Sequence, residues 1–169
     1  MLAVGSFRRV LVGFDGSPDA AEALWVGASV AATAGGGKIA VLCVLPRALP
    51  PEGKSEGTHG GLLLAQAEAL LDELASNARP GILVRTSVDV AYSDGDGPGN
   101  VVTLYAQEQK FDVLVLGRHG SGSRGKSSLG RVADHAVRAC SVPLLLVSAP
   151  NGKTAPGRRT MAAPDAATP

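Results

Sequence analysis

The chain has 169 residues, of which 45% are apolar and 18% charged, with a formal net charge of +1. That length suits one domain with a sizeable core, and the apolar share excludes a highly charged disordered chain. A charge so close to zero offers no global field for nucleic acid or a membrane surface, and no apolar run is long enough to span a bilayer.

Residues 1–6 read as a frayed terminus. Ser6-Phe7-Arg8-Arg9 is similar to a twin-arginine export signal, but the apolar segment behind it stops at Asp15 and is too short for an h-region. Arg8 and Arg9 are therefore expected to be solvated residues leading into a strand. Val10 to Phe14 is a short apolar run with β-branched residues, suited to a buried parallel strand. Asp15-Gly16-Ser17-Pro18 predicts a turn and then a helix, with Ser17 as N-cap and Pro18 in the first turn. Ala20, Leu24, Gly27, Ala28 and Ala31 recur at helical spacing until Gly35-Gly36-Gly37 stops the helix.

Lys38 to Leu45 predicts the second strand, and the Pro- and Gly-rich segment 46–60 a mobile loop. A second helix follows, with Leu63, Ala67, Leu70, Leu71 and Leu74 on one face. Trp25 and this leucine face suit core or interface better than a ligand site. Ile82 to Val90 predicts the third strand. Asp94 and Asp96 could pass for paired carboxylates but fit a glycine turn, and Asn100 is placed to cap a third helix running to about Lys110. Phe111 to Leu116, Gly130 to Cys140 and Pro143 to Ser148 complete the pattern as strand, helix and strand. Residues 150–169, rich in proline and small residues, predict a disordered tail. Cys43 in a strand and Cys140 at a helix end form no CxxC, which argues against a disulfide framework or zinc site and fits a reducing cytoplasm.

Strands alternating with helices imply a doubly wound parallel sheet with right-handed crossovers and helices on both faces. In such sheets ligands lie at the carboxyl ends of the strands, where strand order reverses. With the order 3-2-1-4-5, that point falls between Asp15, closing strand one, and Gly117, closing strand four.

After Gly117 comes a loop with Gly120, Gly122, Gly125 and Gly130 interspersed with Arg118, Arg124, Lys126 and Arg131. Amides opened by glycine beside a helix N-terminus favour an anion, and phosphate is the natural ligand. Three patterns overlap in this loop. Gly120-x-Gly122-x-x-Gly125 matches the dinucleotide fingerprint but lacks the acidic residue about 20 positions on, where position 145 is Leu. Gly120-x-x-x-x-Gly125-Lys126-Ser127 matches a P-loop, yet the neighbouring strands end in Gly117 and Ser148 without a carboxylate for Mg²⁺. The third is Gly117-x-x-Gly120, nine residues, then Gly130. His119, inside the loop, is expected to be exposed, and with three histidines in the chain, none paired at ligand spacing, no metal or acid–base role is assigned to it.

With strand–GxxG–nine residues–Gly–helix, the chain resembles the universal stress protein family over about residues 7–149. The likeness extends to Arg9-Val10-Leu11-Val12-Gly13-Phe14-Asp15-Gly16-Ser17, to Val41-Leu42-Cys43-Val44 and to Cys140-Ser141-Val142-Pro143-Leu144-Leu145-Leu146-Val147. The resemblance implies an adenine nucleotide alpha hydrolase-like fold, with ATP, and Mg²⁺ carried on its phosphates, in the crevice. Asp15 and the backbone of Gly13, Phe14 and Val44 would then face adenine and ribose. Leu116, Gly117, Arg118, Gly120, Gly130, Arg131 and Val132 would surround the phosphates. The chain departs from the family at Arg131, where nucleotide-binding members usually carry Ser or Thr. The resemblance further implies a homodimer, through the edge of strand five, and a regulatory role with little or slow ATP hydrolysis. A P-loop-like ATPase using Lys126 and Ser127, and a dimeric scaffold that no longer binds ATP, are the alternatives.

Overall fold

The computed structural model describes residues 6–47, 59–78, 84–121 and 129–150. In chain order the elements are β1 (Arg9–Gly13), α1 (Pro18–Thr33), β2 (Gly37–Pro46), α2 (His59–Ser76), β3 (Val84–Ser93), α3 (Gly97–Glu108), β4 (Val113–Gly117), α4 (Arg131–Ala139) and β5 (Leu144–Val147). The strands form one sheet in the order β3-β2-β1-β4-β5, with every neighbouring pair parallel. The expected topology is present, and strand order reverses between β1 and β4.

Both faces of the sheet are covered, and the strand sequences show why. Alternate residues of a strand point to opposite faces, so a strand buried on both sides must be apolar throughout. Val10, Val12, Ile39, Val41, Val113 and Val115 pack with Leu24 and Ala28 of α1 and with Leu63, Ala67, Leu71 and Leu74 of α2. Leu11, Ala40, Leu42, Leu114 and Leu116 pack with Val102 and Ala106 of α3 and Ala136 of α4. Each Val, Leu or Ile among them, taken fully out of water, contributes about 1.5–3 kcal/mol. Trp25 and Leu70 sit at the margin of the first of these cores.

Ser17 caps α1 as expected, its hydroxyl accepting the Ala20 amide at 3.1 Å. The third helix corrects its expectation. It begins at Gly97 with Asp96 as N-cap, and Asn100 lies inside it. The reason is Pro98, which sits in the first turn, where its fixed φ fits and its missing N–H costs nothing. Likewise β3 runs on to Ser93, beyond the expected Val90, because ten consecutive residues pair with β2. The centre of the 46–60 loop and residues 151–169 of the expected tail lie outside the described residues. Among the described residues no helix is long and apolar enough to cross a membrane.

Candidate functional site

The carboxyl ends of β1 and β4 meet at one mouth of the sheet, and the chain leaving each is shaped by close backbone packing. Gly117 ends β4 hard against the first turn of α1. A Cβ there would lie 2.9 Å from the Ala20 nitrogen and 2.9 Å from the carbonyl carbon and Cβ of Asp19. The chain then crosses towards β5, where the Arg118 amide donates to the Val147 carbonyl at 2.7 Å. It returns to meet the start of α4, with the Gly130 amide donating to the Arg118 carbonyl at 2.9 Å. A Cβ on Gly130 would stand 3.1 Å from the Gly120 nitrogen, and one on Gly120 would stand 2.8 Å from Asp15 Oδ2. Gly117 and Gly130 thus stand where a side chain would meet backbone, Gly120 stands against the Asp15 carboxylate, and the Gly130 amide is spent within the loop.

Asp15 is exposed and bridges the two chain ends. Its Oδ1 accepts the Ser17 amide at 3.0 Å and its Oδ2 accepts the Ser121 amide at 2.9 Å. Gly130 is the N-cap of α4 and has no side chain to cap the helix. The first-turn amides of α4, beginning at Arg131 and Val132, therefore keep the partial positive charge of a helix start. That is a fitting environment for an anion, as the loop composition suggested.

A second carboxylate joins this arrangement, one the sequence had not marked. Asp19, in the first turn of α1 with a side chain 13% exposed, accepts the His119 amide at 3.0 Å through Oδ2. The same oxygen lies 3.0 Å from His119 Nδ1, and Oδ1 accepts the Ala149 amide at 2.8 Å. The Ser17 hydroxyl donates to the His119 carbonyl at 3.3 Å. His119 was expected to be exposed. It is half-buried instead, because both its backbone and its ring are drawn down onto the start of α1. The one sequence signal available was an acidic residue in the first turn of the helix leaving β1.

The expected site residues separate into two groups. Gly13, Asp15, Gly117, Arg118, Gly120, Gly130 and Arg131 belong to the strand ends and loop at this mouth. Phe14 points its side chain into the α1–α2 core, and its amide is spent on the Leu42 carbonyl at 3.0 Å. Leu116 is buried in the α3–α4 core, so only its backbone remains to line a crevice, while Val44 and Val132 pack against that core and stay partly exposed. Gly122, Arg124, Gly125, Lys126 and Ser127, on which the P-loop and dinucleotide patterns depend, lie outside the described residues. Among the described residues no cluster of three or more His, Cys, Asp or Glu side chains is placed to hold a metal ion.

An open, parallel sheet with strand order reversing between β1 and β4, and helices on both faces, defines a doubly wound α/β protein with its crevice at that switch point. The family model described as the universal stress protein family matches residues 6–148, and the chain belongs to that family. Solved structures share the fold. Universal stress protein UspA from Lactobacillus plantarum is 18% identical with a TM-score of 0.60, covering 85% of this chain and 99% of its own. A universal stress protein in complex with cAMP is 20% identical with a TM-score of 0.61, covering 86% and 100%. A family member from Arabidopsis thaliana with AMP bound is 19% identical with a TM-score of 0.53, covering 84% and 92%.

Proposed function

We propose that this universal stress protein binds an adenine nucleotide, ATP foremost, in the crevice between the ends of β1 and β4, and acts in regulation of a stress response. The observation that carries this reading is the close approach of Gly130, at the uncapped start of α4, to Gly120 of the loop after β4, with Asp15 against Gly120 and Gly117 closing β4 on the first turn of α1. The arrangement suits a phosphate chain on the loop and a nucleoside on the β1 side, where Asp15 retains lone pairs for a sugar hydroxyl or an adenine amine. Two of the similar structures hold cAMP and AMP, which supports the nucleoside half of the reading. Any Mg²⁺ would ride on the phosphates.

Hydrolysis is expected to be slow or absent. Phosphoryl transfer needs a positioned water or nucleophile together with its base. The Asp19–His119 pair has the orienting half of such a device, but its ring Nε2 has no hydroxyl or other partner among the described residues.

Two experiments test the proposal. Purified protein, denatured and examined by mass spectrometry, is expected to release ATP or AMP, and calorimetry to show binding of both. No bound nucleotide, together with no heat from ATP, ADP or AMP in low salt, would refute it and favour the scaffold alternative. A homodimer through β5 is proposed alongside. That strand is a sheet edge, with Leu145 36% exposed, and Val137 on α4 is 55% exposed. A monomer mass by light scattering at micromolar concentration would sink the dimer.

A further inference from the structure

We infer that Asp19 is the positioning residue of this site: one carboxylate fixes both the backbone and the imidazole of His119 and ties the glycine loop to the end of β5. Three elements converge on it. Asp19 is carried by the first turn of α1, His119 by the loop after β4, and Ala149 by the chain just beyond β5. Its two oxygens divide the work. Oδ2 serves the loop, through the His119 amide and Nδ1, both at 3.0 Å, and Oδ1 serves the strand end, through the Ala149 amide at 2.8 Å.

Two further facts make the tie specific. First, His119 Nε2 is buried without a hydrogen-bond partner among the described residues, so the bond at Nδ1 is what orients the ring. A carboxylate only accepts, so Nδ1 must carry the proton, which sets the ring's tautomer. Second, Gly117 leaves no room between β4 and Asp19, where a Cβ would come within 2.9 Å of the Asp19 Cβ. The carboxylate is therefore held at a fixed place relative to the loop it anchors. Asparagine could not replace it, because its single acceptor oxygen can serve the loop or the strand end but not both.

The effect on ligand affinity rests on the proposed nucleotide reading, while the effect on the loop does not, and the experiment separates them. The full chain, labelled with ¹⁵N, is compared with Asp19→Ala, Asp19→Asn and Asp112→Ala. The Asp112 carboxylate also accepts two backbone amides, those of Arg8 and Arg9, but at the opposite end of the sheet, so this variant controls for lost stability. In Asp19→Ala the His119 ring nitrogens are expected to lose the Nδ1-protonated signature. Exchange at the His119 and Ala149 amides should rise about tenfold, and the AMP dissociation constant about five- to tenfold. Asp19→Asn should lose protection at one of those amides and keep it at the other. Asp112→Ala should leave the ring and the AMP affinity unchanged. An unmoved His119 ring in Asp19→Ala, or an equal response in Asp112→Ala, overturns the inference. If ring and amides respond but the unaltered protein binds no AMP, the positioning role stands and the nucleotide reading falls.

Discussion

Replacing Gly117 by alanine tests whether the loop and α1 are packed as tightly as the geometry states. The added methyl would sit 2.9 Å from three atoms of the α1 first turn, two of them backbone. Carbon pairs pack best at about 3.5–4.0 Å, so the strand end or the helix must yield by at least about 0.6 Å. Neither can swing aside as a flexible side chain would. Inserting a methyl into such a place costs about 1–3 kcal/mol. Gly117 does not have a positive φ, so no backbone strain adds to this, and the loss of freedom in the unfolded chain returns about 0.4–1 kcal/mol. The net loss is about 1–2 kcal/mol, which for a chain of this size lowers Tm by about 2–8 °C. Calorimetric melting of Gly117→Ala beside Gly95→Ala provides the assay. Nothing lies within 4 Å of a Cβ on Gly95, so that variant should hold its Tm or gain slightly. Gly117→Ala should also bind AMP more weakly, because Asp19 moves with the helix. A Gly117→Ala protein as stable as the parent would refute the close approach of β4 and α1.

Asp15→Ala removes the acceptor shared by Ser17 and Ser121, so AMP affinity by calorimetry should fall by about 1 kcal/mol, or roughly fivefold, and the Ser121 amide should exchange faster; unchanged affinity would make Asp15 a turn residue only. Arg131, exposed at the start of α4, is expected to reach the phosphates from the rim. Arg131→Glu should then abolish ATP binding, while Arg131→Ser keeps it with a weaker salt dependence; restoration of binding by Arg131→Ser in a parent that has none would show that the arginine blocks the site. Burial pushes the Cys43 thiol up to about 11 from 9.0, and burial first, then the hydrogen bond and charge of Asp89, push the Tyr105 hydroxyl up to about 12 from 10.0. Both groups hold their protons more tightly when folded, so their contribution to stability is complete below the unfolded values and is lost as pH rises through the folded ones. Tm should therefore decline from about pH 9 upward, less steeply in Cys43→Ala across pH 9–11; equal slopes would contradict the burial of the thiol.

The five-strand alternation and the placing of Asp15 and Gly117 at one crevice were legible because they depend on local signals. Runs such as Val10–Val12 and Val113–Leu116 are apolar throughout because each strand is covered on both faces, and Ser17-Pro18 marks a helix start within four residues. Even where the local reading failed, at the start of α3, the deciding residue was a neighbour, Pro98, whose first-turn preference outweighed the capping ability of Asn100. The Asp19 tie was another matter. It joins residues 100 and 130 positions apart, and no periodicity in the sequence records which carboxylate will face which amide across that distance. Only the sheet order, which sets β4 beside β1 and β5 beside β4, carries His119 and Ala149 to the first turn of α1. The same holds for the glycines. From the sequence, Gly117, Gly120 and Gly130 are places where amides are free to meet an anion. In the folded chain Gly117 also stands where a side chain would meet the backbone of α1, and Gly130 where one would meet the backbone of the loop, and tertiary packing alone decides that.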